Sequence, residues 1–151
     1  MVLKIVSGGQ TGVDRAALDA GLECGIAVGG WCPVGRRAED GTIPVRYPLV
    51  ELDSIEYAAR TEKNVVDSDA TLVLNRGVLA NGTALTVKLA REHRKPYLVV
   101  QLDGKAYPCD VAEWIREMGI TVLNIAGPRE SKCPGIYESA LQFLRRVLQE
   151  G

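Results

Sequence analysis

Val2-Leu3-Lys4-Ile5-Val6-Ser7-Gly8-Gly9-Gln10-Thr11-Gly12-Val13-Asp14-Arg15-Ala16-Ala17 decides how the chain folds. Val2 to Val6 is a short β-branched run that Gly8-Gly9 ends, and Asp14 to Cys24 then places Ala16, Ala17, Ala20 and Cys24 at helical spacing. Strand, glycine loop and helix therefore follow one another. The same succession recurs at Ala70 to Leu74, Asn81-Gly82-Thr83 and Thr83 to His93, and again at Ile120 to Ile125, Gly127-Pro128-Arg129-Glu130-Ser131 and Ile136 to Leu148.

The intervening segments complete the pattern. Ile26 to Val28 reads as a second strand, Ile55 to Val66 as a helix, Tyr97 to Leu102 as a strand after Lys95-Pro96 stops the preceding helix, and Val111 to Met118 as a helix. Strands alternating with helices imply crossover connections and a parallel sheet covered on both faces. The expected fold is a single α/β domain over residues 1–151, a Rossmann-like three-layer α/β/α sandwich with a mainly parallel sheet. Ligands of such folds bind beyond the carboxyl ends of the strands, where all three loops would lie. The polar stretch from Gly29 to Val50 shows little periodicity, and a loop of that length inside a compact domain points to a binding loop, a lid or unrecognised elements.

Composition narrows the function classes. With 46% hydrophobic residues, 25% charged residues and a net charge of -1, the chain is an ordinary globular domain without the basic footprint of a duplex nucleic-acid binder. No apolar run reaches the roughly 20 residues that span a bilayer, so a cytoplasmic protein with no membrane partner is expected. Cys24, Cys32, Cys109 and Cys133 show no metal-site spacing, and no protein-ligated metal is expected. Cys32 and Cys133, each beside a proline, are the two thiols expected nearest a pocket. With His93 as the single histidine, placed at a helix end where its charge suits the dipole, a Ser/His/Asp triad is excluded.

The loops carry the chemistry. Helix N-termini leave N–H groups unpaired, and glycine or hydroxyl residues there let an anion come close. Ser7, Gly8, Gly9, Gln10 and Thr11, with Asp14 in the first helical turn, form one candidate site, although glycines at 8, 9 and 12 match neither G-x-G-x-x-G nor a P-loop. A tight turn explains that loop equally well. Asn81, Gly82 and Thr83 are a second candidate, with helix capping as the alternative, and Arg129, Glu130 and Ser131 a third, with surface charge as the alternative. Gly30, Trp31 and Arg36 offer an aromatic face and a guanidinium suited to a planar heterocycle, and Arg60 shares a helix face with Thr61 and Asn64.

Taken together, S-G-G-Q-T-G-V-D-R at 7–15, G-G-W-C-P-x-G-R-R-A-E-D-G at 29–41, R-T-x-x-N at 60–64, N-G-T-A-L-T at 81–86 and A-G-P-R-E-S at 126–131 resemble the putative molybdenum carrier family. The resemblance covers essentially the whole chain. It implies a branch of the Rossmann-like group that includes DNA-processing protein A and lysine-decarboxylase-like phosphoribohydrolases, and a phosphate-bearing small-molecule partner, either a nucleotide or molybdenum cofactor as carried ligand. It also implies association into a homo-oligomer. The hydrolases of that group, which release a base from a nucleoside monophosphate, carry P-G-G-x-G-T-x-x-E; here Gly82-Thr83 is kept and Thr86 stands in the glutamate's place. The resemblance therefore favours binding over hydrolysis, with a non-enzymatic accessory or sensor domain as a further alternative.

Overall fold

The computed structural model describes residues 1–150. Strand β1 (Lys4–Val6) leads through the first glycine loop into α1 (Val13–Glu23) and β2 (Ala27–Gly29). The polar stretch that follows holds four two-residue strands, β3 (Trp31–Cys32), β4 (Arg37–Ala38), β5 (Gly41–Thr42) and β6 (Val50–Glu51). Then come α2 (Tyr57–Val66), β7 (Ala70–Asn75), α3 (Asn81–Glu92), β8 (Tyr97–Gln101), α4 (Pro108–Met118), β9 (Val122–Ala126) and α5 (Ile136–Glu150). The expected elements are all present. Helix α4 starts earlier than the apolar pattern suggested because Pro108, which has no N–H to leave unpaired, opens it.

Five parallel strands form the main sheet in the order β2-β1-β9-β7-β8. Every residue of β7 is buried, as expected of a central strand covered on both faces. Helix α1 packs on α5, and α5 on α4, while α2 packs on α3. Small residues permit the close approach of α1: a Cβ on Gly21 would lie 2.5 Å from Val28 Cγ1. The apolar core includes Ile5, Val13, Leu18, Leu72, Leu74, Leu123, Ile125, Ile136 and Leu144.

The strand order carries more information than the fold class. The chain's last strand, β9, inserts between its first, β1, and β7. Counted from β9, the sheet reads 3-2-1-4-5, the order of a doubly wound nucleotide-binding sheet, so the connectivity is circularly permuted. Met1 and Leu148 line the same apolar groove, so the two ends of the fold meet, as a permutation requires. The switch point then lies between β9 and β7, and the loop from β9 into α5 stands where such folds place their phosphate-binding turn.

Candidate functional site

A cleft of about 420 Å³ opens at that switch point. Asn75 and Arg76 at the end of β7 and Ala126 to Arg129 at the end of β9 form its floor, Asn81 to Thr83 of α3 one wall, and Tyr57, Arg60 and Thr61 of α2 another. Arg60, Arg76, Arg129 and Lys132 line it against one carboxylate, Asp14. Arg60 Nη1 donates to Asp14 Oδ2 at 3.2 Å, whereas Arg76 and Lys132 have no carboxylate partner among the described residues. Arg60 Nε is buried without a hydrogen-bond acceptor, a rare state that calls for an explanation, and buried Arg129 Nε has only the Glu39 carboxylate at 3.4 Å, outside hydrogen-bond geometry.

The second loop offers its backbone. Ala80, the residue before α3, is extended and supplies no side-chain cap; Asn81 has φ +51°, and the N–H groups of Asn81 and Gly82 have no protein acceptor among the described residues. The capping alternative for Asn81 is therefore not realised. Thr83 is buried, and Thr86 turns its hydroxyl back to the carbonyl of Gly82 at 2.9 Å. A Cβ on Gly82 would meet nothing within 4 Å, so this glycine leaves open space at the helix start.

Three N–H groups of the first loop are bonded locally. Gly9 N–H donates to Ser7 Oγ, Gln10 N–H to Asp14 Oδ2 and Thr11 N–H to Gln10 Oε1, at 3.3, 3.2 and 3.0 Å. The Arg60 guanidinium covers Gly8 so closely that a Cβ there would lie 1.6 Å from Nη1. Ser7 to Thr11 are thus a packed turn, and of this loop only Gln10 reaches the cleft wall, with Asp14 behind it. Burial pushes the Asp14 carboxyl above its ordinary range, outweighing the Arg60 charge and the Gln10 N–H.

The third loop is likewise engaged. Glu130 accepts from the N–H groups of Gly135 and Tyr137 and so caps α5 rather than facing a ligand. Ser131 donates through its N–H, at 3.1 Å, and its hydroxyl to Glu39, whose carboxylate also accepts from the Thr11 hydroxyl and lies 3.4 Å from Arg129 Nε. Burial raises the Glu39 carboxyl, but those hydrogen bonds and the Arg129 charge more than reverse it and leave it below its usual range. Asp40 is lowered chiefly by its paired hydrogen bonds to Arg15, both 2.9 Å. A carboxyl lowered by folding stabilises above its unfolded pKa and loses that stabilisation as pH falls through the folded value. The clamp that Glu39 and Asp40 form is thus full at neutral pH, and the Ser131 amide resonance is expected to titrate with a midpoint below that of an ordinary glutamate.

Three expected ligand contacts lie elsewhere. Trp31 packs on α2, its backbone bonded to Asn64 at 2.7 and 3.0 Å and its indole N–H to Asp67 at 2.7 Å. Gly30, at φ +132°, presses against the Ser7 backbone. Arg36 turns inward and donates to the carbonyls of Ile43, Pro44, Tyr47 and Leu49, holding its own segment together. Arg36→Ala is accordingly expected to lower stability by about 2–3 kcal/mol, by urea titration, with small-anion affinity unchanged. Cys32 is fully buried with its thiol pushed up by that burial, which makes it a packing residue; Cys133 is half-buried in the cleft wall. Tyr57 and Arg76 line the cleft without having been among the expected site residues. Arg76 follows a strand end directly, the position from which folds of this type address ligands, and this was the available signal.

The model of the circularly permutated YpsA SLOG family matches residues 5–148. The chain belongs to this family. Its permuted strand order is the structural form of that name. No curated protein matches it. A crystal structure described as that of a putative molybdenum carrier protein from Syntrophus aciditrophicus SB is similar at 46% identity and a TM-score of 0.93, covering 97% of this chain and 95% of the other. The resemblance in the motifs and the Rossmann-like fold are both shown by these matches. Among the described residues no group of His, Cys, Asp or Glu is placed to hold a metal ion, and no helix is long and apolar enough to cross a membrane.

Proposed function

We propose that this SLOG-family protein binds a phosphate-bearing small molecule in the cleft between β7 and β9. The supporting observation is the pairing of four cationic side chains with two unpaired helix-terminal amides around a single, already neutralised carboxylate. Phosphate oxygens would take the N–H groups of Asn81 and Gly82 and the charges of Arg76, Arg129 and Lys132. The half-exposed Tyr57 ring, 5.6 Å from the Arg60 guanidinium, would face a planar organic part, the role first expected of Trp31 and Arg36.

These residues suit the pterin-phosphate of molybdenum cofactor as cargo, and equally a nucleotide. In the first case the cofactor's own dithiolene holds the metal, and the protein contributes anion and ring contacts. Native mass spectrometry of gently purified protein identifies the occupant: a pterin-phosphate adduct supports carriage, and a nucleotide adduct supports a sensor. Lys132→Ala is expected to weaken phosphate-ligand binding roughly 3- to 10-fold, by calorimetry, through loss of one charge-assisted contact. Affinity that does not change removes Lys132 from the site.

Hydrolytic base release would have to use Asp14, the one carboxylate in the cleft wall among the described residues, and its raised pKa is the feature in favour. Free base and pentose phosphate from nucleoside monophosphates would establish that reading. Four free cysteines, two of them exposed, support a reducing, cytoplasmic setting. The apolar groove of Val2, Ile26, Ile115 and Leu148 would support a homo-oligomer, which the same native spectra test.

A further inference from the structure

The segment between β2 and α2 pushes a carboxylate into donors that belong to two other loops. Around Glu39 stand the Thr11 hydroxyl, the Ser131 N–H and hydroxyl, and the Arg129 guanidinium. Two hydroxyls, an amide and a guanidinium converging on one point are the recognition chemistry of any oxyanion, carboxylate or phosphate alike. The permuted topology places Arg129 and Ser131 in the turn from β9 to α5, where a doubly wound sheet holds the phosphates of its ligand, with Thr11 reaching in from the turn after β1. Yet the occupant comes from the chain itself, at the tip of a hairpin of two-residue strands, and its side chain is 22% exposed. Arg129 lines the cleft as well as facing this seat, so both draw on one guanidinium.

We propose that Glu39 is a displaceable internal anion: the seat made by Thr11, Ser131 and Arg129 takes the second anionic group of a diphosphate-type ligand whose first anion occupies the cleft, and Glu39 leaves as that ligand binds. The inference rests on the cleft being an anion site. Release stays local, because Asp40 remains paired with Arg15 and Arg36 keeps its four carbonyl contacts. The Glu39 N–H, which donates to Gln10 Oε1 at 2.8 Å, reports the event.

The test is calorimetric titration of the whole protein and its Glu39→Gln variant with inorganic phosphate and with pyrophosphate, the melting temperature of each confirming that it is folded. Removing the internal charge is expected to tighten pyrophosphate binding roughly 10-fold while changing orthophosphate binding less than about 3-fold. In the wild-type protein, pyrophosphate is expected to accelerate hydrogen exchange at the Glu39 amide. Orthophosphate binding retained, with pyrophosphate affinity unchanged or weaker in the variant, would overturn the inference and leave the cleft reading standing. Failure of both ions to bind either protein would overturn the two together.

Discussion

Gly12→Ala is expected to destabilise the protein by about 3 kcal/mol or more, a fall in Tm of roughly 6–12 °C for a domain of this size. Gly12 precedes α1 with φ +79°, a region that L side chains rarely adopt, and it sits where the first and third loops touch. A Cβ there would lie 2.3 Å from the Pro128 carbonyl oxygen and 2.8 Å from the Glu130 nitrogen, both backbone atoms that cannot swing aside. Relief requires the loops to part, which strains the hydrogen bond from Val13 N–H to Pro128, now 3.2 Å long. Gly82→Ala is the internal control. Its Cβ meets nothing and the residue is helical, so stability should hold or rise by up to about 1 kcal/mol. Its added methyl group is instead expected to weaken anion binding at the amides beside it. Equal melting temperatures for the two variants would contradict the described contact between loops.

The second large effect is expected at Asp14. Its side chain is 6% exposed and that of its partner Arg60 13%, so Asp14→Ala leaves a nearly buried guanidinium without a counter-charge and the Gln10 N–H without its acceptor. Breaking such a pair from one side is expected to cost about 3–5 kcal/mol in urea denaturation. The intact pair need not be a net gain. Because burial raises the Asp14 carboxyl, the folded protein holds its proton more tightly than the unfolded chain does, and this group's contribution declines as pH rises through the window above about 4. That is opposite in sign to Glu39 and Asp40, so acid stability is a balance between the clamp and the buried pair. A double-mutant cycle with Arg60→Ala should show coupling above about 1 kcal/mol. Loss of less than about 1 kcal/mol in Asp14→Ala would show that the pair is solvated and the cleft wall more open than described.

How much was legible in the sequence depends on range. Runs such as Lys4–Val6 and Ala70–Asn75 announce themselves through local apolar pattern, and the glycine loops mark their ends, so the layered α/β fold could be read directly. The position of β9 could not, because nothing local in Val122–Ala126 says that it will pair with β1 and β7. The strands of the 31–51 stretch escaped notice because two residues carry no period. Site residues divide in the same way. Asn81 and Gly82 sit where a strand–loop–helix pattern puts them, whereas Trp31 and Arg36 look like ligand groups by residue type until Asn64, Asp67 and distant backbone carbonyls are seen to occupy them. Glu39 in the third loop's donor set is likewise a tertiary fact, since its partners Thr11 and Ser131 are far from it in the chain.

Whether the cleft between β7 and β9 is the anion site is tested directly by a titration of ¹⁵N-labelled protein with inorganic phosphate, followed by amide chemical shifts. The largest, saturable shifts are expected at the Asn81 and Gly82 amides, with smaller ones at Arg76 and Lys132. Saturable shifts confined to Gly8–Gly12, with Asn81 and Gly82 unmoved, would place the anion on the first loop and contradict binding in the cleft.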